Sequence, residues 1–124
     1  FIGRTPIGFD PGFAKCIDPM DAKTLSRELP KHDIYLTASM LEAGPSHVLE
    51  AMACGLPVVY RIGGGGLDEY CNDIGLPYKS ENDLSNVIMN CVNNYEHYKR
   101  KTLSYNRVIG DSVLKYVEAI ENVY

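Results

Sequence analysis

Residues 34–62 leave this chain little choice of architecture. Ile34, Tyr35, Leu36 and Thr37 form a short apolar, strand-like run, and Val58, Val59, Tyr60, Arg61 and Ile62 form a second. Between them lies a polar loop and then a helix that Pro45 or Ser46 opens and that Gly55 and Pro57 close. A strand, helix and strand of this length demand a parallel, right-handed crossover. The loop after each strand is thereby brought to the carboxyl edge of one sheet, where open α/β sheets place their ligands. The expected fold class is α/β, a Rossmann-like parallel sheet flanked by helices.

The flanks extend the same alternation. Residues 1–3 and 15–18 read as two short strands, separated by an irregular loop rich in Pro and Gly. Arg4 leaves the first at its carboxyl end, where a phosphate contact is one reading and a solvated arginine the simpler one. Asp21 caps a helix over residues 22–29, with Leu25 and Leu29 inward and Pro30 stopping it. Residues 75–78 form a last strand. Ser80 and Asp83 have capping-box character ahead of Leu84, Val87, Ile88, Cys91, Val92 and Tyr95, spaced as one face of an amphipathic helix. Tyr95, Tyr98 and Tyr105 fall where helices meet and read as packing. Ile109, Val113, Tyr116, Val117 and Ile120 give a closing helix its apolar stripe.

Composition narrows the partners. The 124 residues carry a formal charge of −4, with 45% hydrophobic and 23% charged residues, ordinary for one globular domain and without a basic footprint for nucleic acid. Cys16, Cys54, Cys71 and Cys91 are scattered, with no ligand spacing to a histidine, so neither a metal site nor a disulfide framework is signalled. Isolated thiols suit a reduced compartment, and a cytoplasmic location is the expectation. The chain opens on Phe1 without a starting Met, as though cut into a strand, so targeting elements upstream lie beyond reach.

The chemistry concentrates in residues 39–69. On the central helix Ser46, Glu50 and Cys54 share one face, while Val48, Leu49, Met52 and Ala53 form the stripe expected to pack on the sheet. The first-turn N–H groups lack intrahelical partners and attract anions. Glu50, one turn behind Ser46, suits a neutral diol such as a ribose, whose hydroxyls donate to its two oxygens. His47 reads as a helix-surface histidine. Gly63, Gly64, Gly65 and Gly66 exceed what a turn needs, each costing about 0.5 to 1 kcal/mol against alanine in regular structure, so close backbone approach to a ligand is expected. The run matches neither a Walker loop nor G-x-G-x-x-G. Asp68 and Glu69 begin a short helix, where acids are favourable for dipole reasons alone.

Glu42 and Glu50 stand in E-x7-E spacing, followed by Ala51-Met-Ala-Cys-Gly-Leu-Pro57 and then Gly65-Gly-Leu-Asp-Glu69. In order and spacing these three motifs resemble the nucleotide-sugar half of family-4 retaining glycosyltransferases of the GT-B fold. The resemblance covers residues 34–78 well and the flanks loosely. It implies transfer of a sugar from a nucleotide-diphosphate sugar with retention, without a required metal or further cofactor. Glu42 would sit near the donor sugar as the catalytic residue and Glu50 would hold the ribose. Backbone N–H groups of Ala43, Gly44 and Ser46 would contact sugar or diphosphate, and Gly64, Gly65 and Gly66 would border the same pocket. Family members usually place Gly directly after the first Glu, whereas Ala43 stands here, and the basic pair that grips the diphosphate is not visible in the chain.

By this resemblance residues 1–124 are a single partial domain, the donor half, and the amino-terminal acceptor domain is absent. Two other readings share the same features: a sugar-nucleotide epimerase of the same fold and a non-catalytic nucleotide-sugar-binding module. The stripe from Ile109 to Ile120, left over with nothing to cover it, also raises self-association as an expectation.

Overall fold

The computed structural model describes residues 1–105, 117, 118 and 120. Three parallel strands, β1 (Tyr35–Thr37), β2 (Val58–Arg61) and β3 (Leu76–Tyr78), lie side by side in that order. Helix α1 (Ala22–Glu28) precedes them, α2 (Ser46–Ala53) joins β1 to β2, α3 (Gly66–Cys71) joins β2 to β3, and α4 (Glu81–Asn93) and α5 (Tyr95–Leu103) follow. The expected α/β, Rossmann-like architecture is the one observed.

Central strand β2 explains why its sequence is a continuous apolar run: a parallel strand covered on both faces has no solvent side. Val58 and Tyr60 pack with Val48 and Met52 of α2, Leu67 and Cys71 of α3, and Ile74. Val59 packs with Leu76, Tyr78 and Cys91 on the opposite face, against α4. Edge strand β3 tolerates Pro77, which lacks a ladder N–H and is exposed. On edge strand β1, Tyr35 turns toward α2 and is half-buried, whereas Leu36 is 46% exposed.

Helix α2 ends as its sequence dictates. Gly55 takes φ of +79°, its N–H donates to Met52 O at 2.9 Å, and Leu56 N–H donates to Ala51 O at 3.1 Å, a Schellman cap sealed by the packing of Leu56 on Ala51. The buried face is Val48, Ala51 and Met52 rather than the expected stripe ending in Ala53, which is exposed. The physical reason is a second contact: Ala51 packs on Leu29 and Leu56, which rotates the buried arc toward α1.

Three further expectations change. The two amino-terminal strands contract to one parallel bridge, Ile2 to Ile17, which does not join the main sheet, and Phe1 is 62% exposed. Residues 22–29 divide into α1 and a 3-10 turn, Leu29–Lys31, because Pro30 cannot continue the α ladder. The helix expected through Tyr95 stops at Asn93; Asn94, with φ of −119°, turns the chain and its side chain donates back to Asn90 O, after which α5 starts. The closing stripe at Ile109, Val113 and Tyr116 lies outside the described residues, while Val117 and Ile120 are exposed.

Beyond the sheet's carboxyl edge the chain pairs once more. Glu42 N–H donates to Gly64 O at 3.1 Å and Gly66 N–H to Glu42 O at 2.6 Å, forming a parallel bridge between Glu42 and Gly65. The partners lie 23 positions apart in sequence, the same separation as Tyr35 and Val58 or Thr37 and Tyr60. The two loops therefore leave the sheet and meet again in its own register.

Candidate functional site

A cavity of about 1100 Å³ lies between the amino-terminal segment and the carboxyl end of β1. Its apolar wall includes Ile2, Ile17, Leu25 and Leu29, and its polar mouth is formed by Ser39, Glu42, His47 and Glu50. The two acids of the E-x7-E pair thus open onto one space. Glu42 is held there by the bridge just described, through its backbone, and Glu50 by the rigid second turn of α2, where it is exposed. Both charges reach the Tyr35 hydroxyl. Burial, and then Glu50 and Glu42, push that phenol up to about 12, because each disfavours a phenolate.

His47 departs from the surface reading. Its Nδ1 lies 2.9 Å from the Tyr35 hydroxyl and its Nε2 lies 3.2 Å from Glu42 Oε1, so one ring joins strand, loop and helix. The rings of Tyr35 and His47 sit 5.9 Å apart, tilted by 32°. With 34% of its side chain exposed, against 27% for Glu42, His47 is a half-buried member of the site. Sequence reasoning missed both Tyr35 and His47. The available signal was positional: a polar-tipped aromatic opening β1 and a titratable ring in the first turn of the helix that follows it.

The start of α2 is less open than its sequence implies. Ser46 N–H donates to Gly44 O at 2.9 Å across Pro45, whose φ of −79° and ψ of 69° make an inverse γ-turn. Val48 and Leu49 N–H groups both donate to Pro45 O. The Ser46 amide is accordingly engaged. Ala43 and Gly44 keep N–H groups that donate to no described residue.

The glycine run packs against the backbone of the Glu42 loop and, like Ala43, Gly44 and Ser46, is not part of the cavity lining. A Cβ on Gly64 would stand 2.8 Å from Ser39 O, on Gly65 2.8 Å from Glu42 O, and on Gly66 3.0 Å from the oxygens of Glu42 and Ala43. These glycines do serve close backbone approach, and the backbone is the chain's own. Gly63 N–H is caught by both carboxylate oxygens of Asp68, at 3.1 and 2.9 Å, so this acid fastens the turn as well as opening α3. Arg4 is exposed in the amino-terminal loop.

A Rossmann-like sheet with its polar loops gathered at one carboxyl edge defines an α/β domain of the kind whose ligands, where they bind, lie at that edge. The family model described as "Glycosyl transferases group 1" matches residues 16–106, and the chain belongs to that family of sugar-transferring enzymes. No curated protein and no solved structure matches the chain significantly. Among the described residues, no helix is long and apolar enough to cross a membrane.

Proposed function

We propose that this chain supplies the donor site of a retaining transfer from a nucleotide-diphosphate sugar, with the acceptor bound by a separate domain. The observation that carries the reading is the opening of Glu42 and Glu50 onto one cavity at the carboxyl edge of the sheet. Glu50 accepts from the ribose hydroxyls and Glu42 faces the sugar. The Ala43 and Gly44 N–H groups and the Ser46 hydroxyl are the donors for sugar or diphosphate. Charge developing on the leaving diphosphate meets those donors and the positive end of α2, an electrostatic stabilisation fixed before reaction. Gly64, Gly65 and Gly66 contribute by holding the Glu42 loop at the pocket's rim.

Hydrogen bonds to a charged carboxylate are worth about 1.5 to 3 kcal/mol, so Glu50→Ala should weaken nucleoside diphosphate binding by roughly tenfold to a hundredfold. Titration calorimetry of the chain with UDP and GDP measures this. Equal affinity in wild type and variant would remove Glu50 from the site. In an enzyme carrying both halves, Glu42→Gln should lower kcat more than it raises KM, because the sugar contact matters most as the glycosidic bond breaks.

A further inference from the structure

The contacts of His47 reach beyond a general donor site, because they determine how Glu42 can present itself. An ionised carboxylate only accepts hydrogen bonds, so the nitrogen facing Glu42 Oε1 at 3.2 Å, Nε2, must carry the proton. In a neutral ring Nδ1 is then an acceptor, and the Tyr35 hydroxyl at 2.9 Å donates to it. The resulting chain runs in one direction, from Tyr35 to His47 to Glu42. Tyr35 can sustain it because burial and the two neighbouring carboxylates keep its proton in place. Glu42 Oε2 accepts no hydrogen bond from any described residue.

We propose that His47, fixed as the Nε2–H tautomer by Glu42 and tied to β1 through the Tyr35 hydroxyl, is a positioning residue that turns Glu42 toward the donor sugar. It occupies one carboxylate oxygen and leaves the other for a sugar hydroxyl. This inference rests on the donor role of Glu42 proposed above. The arrangement follows a general design: a group that must meet a ligand at a set angle is fixed by a neighbour with no contact of its own. A bare glutamate in the loop would sample several rotamers, and ordering it on binding would subtract from affinity. Held from β1 through His47, it meets the ligand already oriented.

Two measurements on the 124-residue chain test the proposal. Imidazole ¹⁵N spectra at pH 8 should show His47 as the single Nε2–H tautomer, and Glu42→Gln, whose amide can accept or donate, should convert it to a tautomer mixture. A mixture in the wild type, or an Nδ1–H ring, would overturn the proposal. The second measurement is the affinity ratio of sugar nucleotide to nucleotide, using UDP-glucose against UDP and GDP-mannose against GDP. For whichever pair binds, His47→Leu should lower the ratio by roughly twofold to tenfold, the effect of one lost hydrogen bond. His47→Gln, which restores an N–H at the same reach, should recover most of it. A ratio unchanged in His47→Leu, or Gln no better than Leu, sinks the proposal and leaves the donor site standing. If the wild type binds none of the four compounds, the donor reading falls and this one falls with it.

Discussion

The Glu42 loop with the glycine run and the amino-terminal segment of residues 1–20 are both rich in Gly and Pro, and they are built in opposite ways. Gly64, Gly65 and Gly66 each have a backbone oxygen within 3.0 Å of where a Cβ would stand, while Gly8 and Gly12 have nothing within 4 Å. Pro45 is fully buried; Ile7 and Phe13, large and apolar, are fully exposed. Glycine in the first region lets two backbones touch. In the second it only allows positive φ, +79° at Gly8 and +61° at Gly12. The same composition thus gives an interlocked rim where a partner loop exists and an open strand of chain where none does.

Alanine substitution breaks the comparison most directly. Gly65→Ala combines a φ of +71° with a Cβ against Glu42 O, and should cost about 2 to 5 kcal/mol in urea unfolding. Gly12→Ala meets the φ penalty without the clash, and should cost about 1 to 2 kcal/mol. Equal losses would mean that the rim is no tighter than the segment.

Thiol chemistry sharpens the contrast further. Cys16, in the amino-terminal segment, is exposed, whereas Cys71 and Cys91 are buried. Burial, helped by the Asp68 charge, pushes Cys71 up to about 12, and burial also raises Cys91. Because the thiolate is the nucleophile, iodoacetamide at pH 8 should label Cys16 at least about a hundredfold faster than Cys71, as read by peptide mass spectrometry. Comparable rates would show that the packed half opens as readily as the segment.

The smallest effect concerns acid. Asp83 is held below the usual carboxylate value of 3.8 by the N–H groups of Lys79 and Ser80, and Asp21 by that of Thr24. A carboxylate depressed by folding stabilises above its unfolded value, and that contribution disappears as pH falls through the folded one. Helix α4 packs on β3, whereas α1 buries none of its residues. Asp83→Asn should therefore flatten the fall of Tm below pH 4 more than Asp21→Asn does, since α4 is the more deeply packed helix and so the more closely tied to global unfolding. The opposite order would make α1 the better-coupled helix.

The strands β1, β2 and β3, the crossover and α2 with its cap were legible because each rests on local pattern: apolar runs, a Gly-Leu-Pro stop and a fixed handedness. What escaped depends on partners distant in sequence. Gly65 finds its neighbour in Glu42, and His47 finds Tyr35 on a strand twelve residues back and Glu42 in a loop five back. Neither juxtaposition leaves a periodic trace. The break at Asn94 was hidden for another reason, since Tyr95 continues the apolar spacing of α4 although the backbone has already turned. At the amino terminus, apolar residues 1–3 had strand character and a single pairing partner in residues 15–17, too little for a sheet.

The bridge between Glu42 and Gly65 carries a consequence for how such a rim can change over evolution. Thr37 and Tyr60 face each other in the ladder, and the next paired residues on each arm come five positions later. The arms are matched in length. Removing one residue from the Glu42 arm alone would bring Gly65 opposite a different backbone position, while a deletion of equal size in the arm leading to Gly65 would restore the match. By this register, a change of length in one arm calls for an equal change in the other if the bridge is to be kept, although a whole helix separates the two loops in sequence.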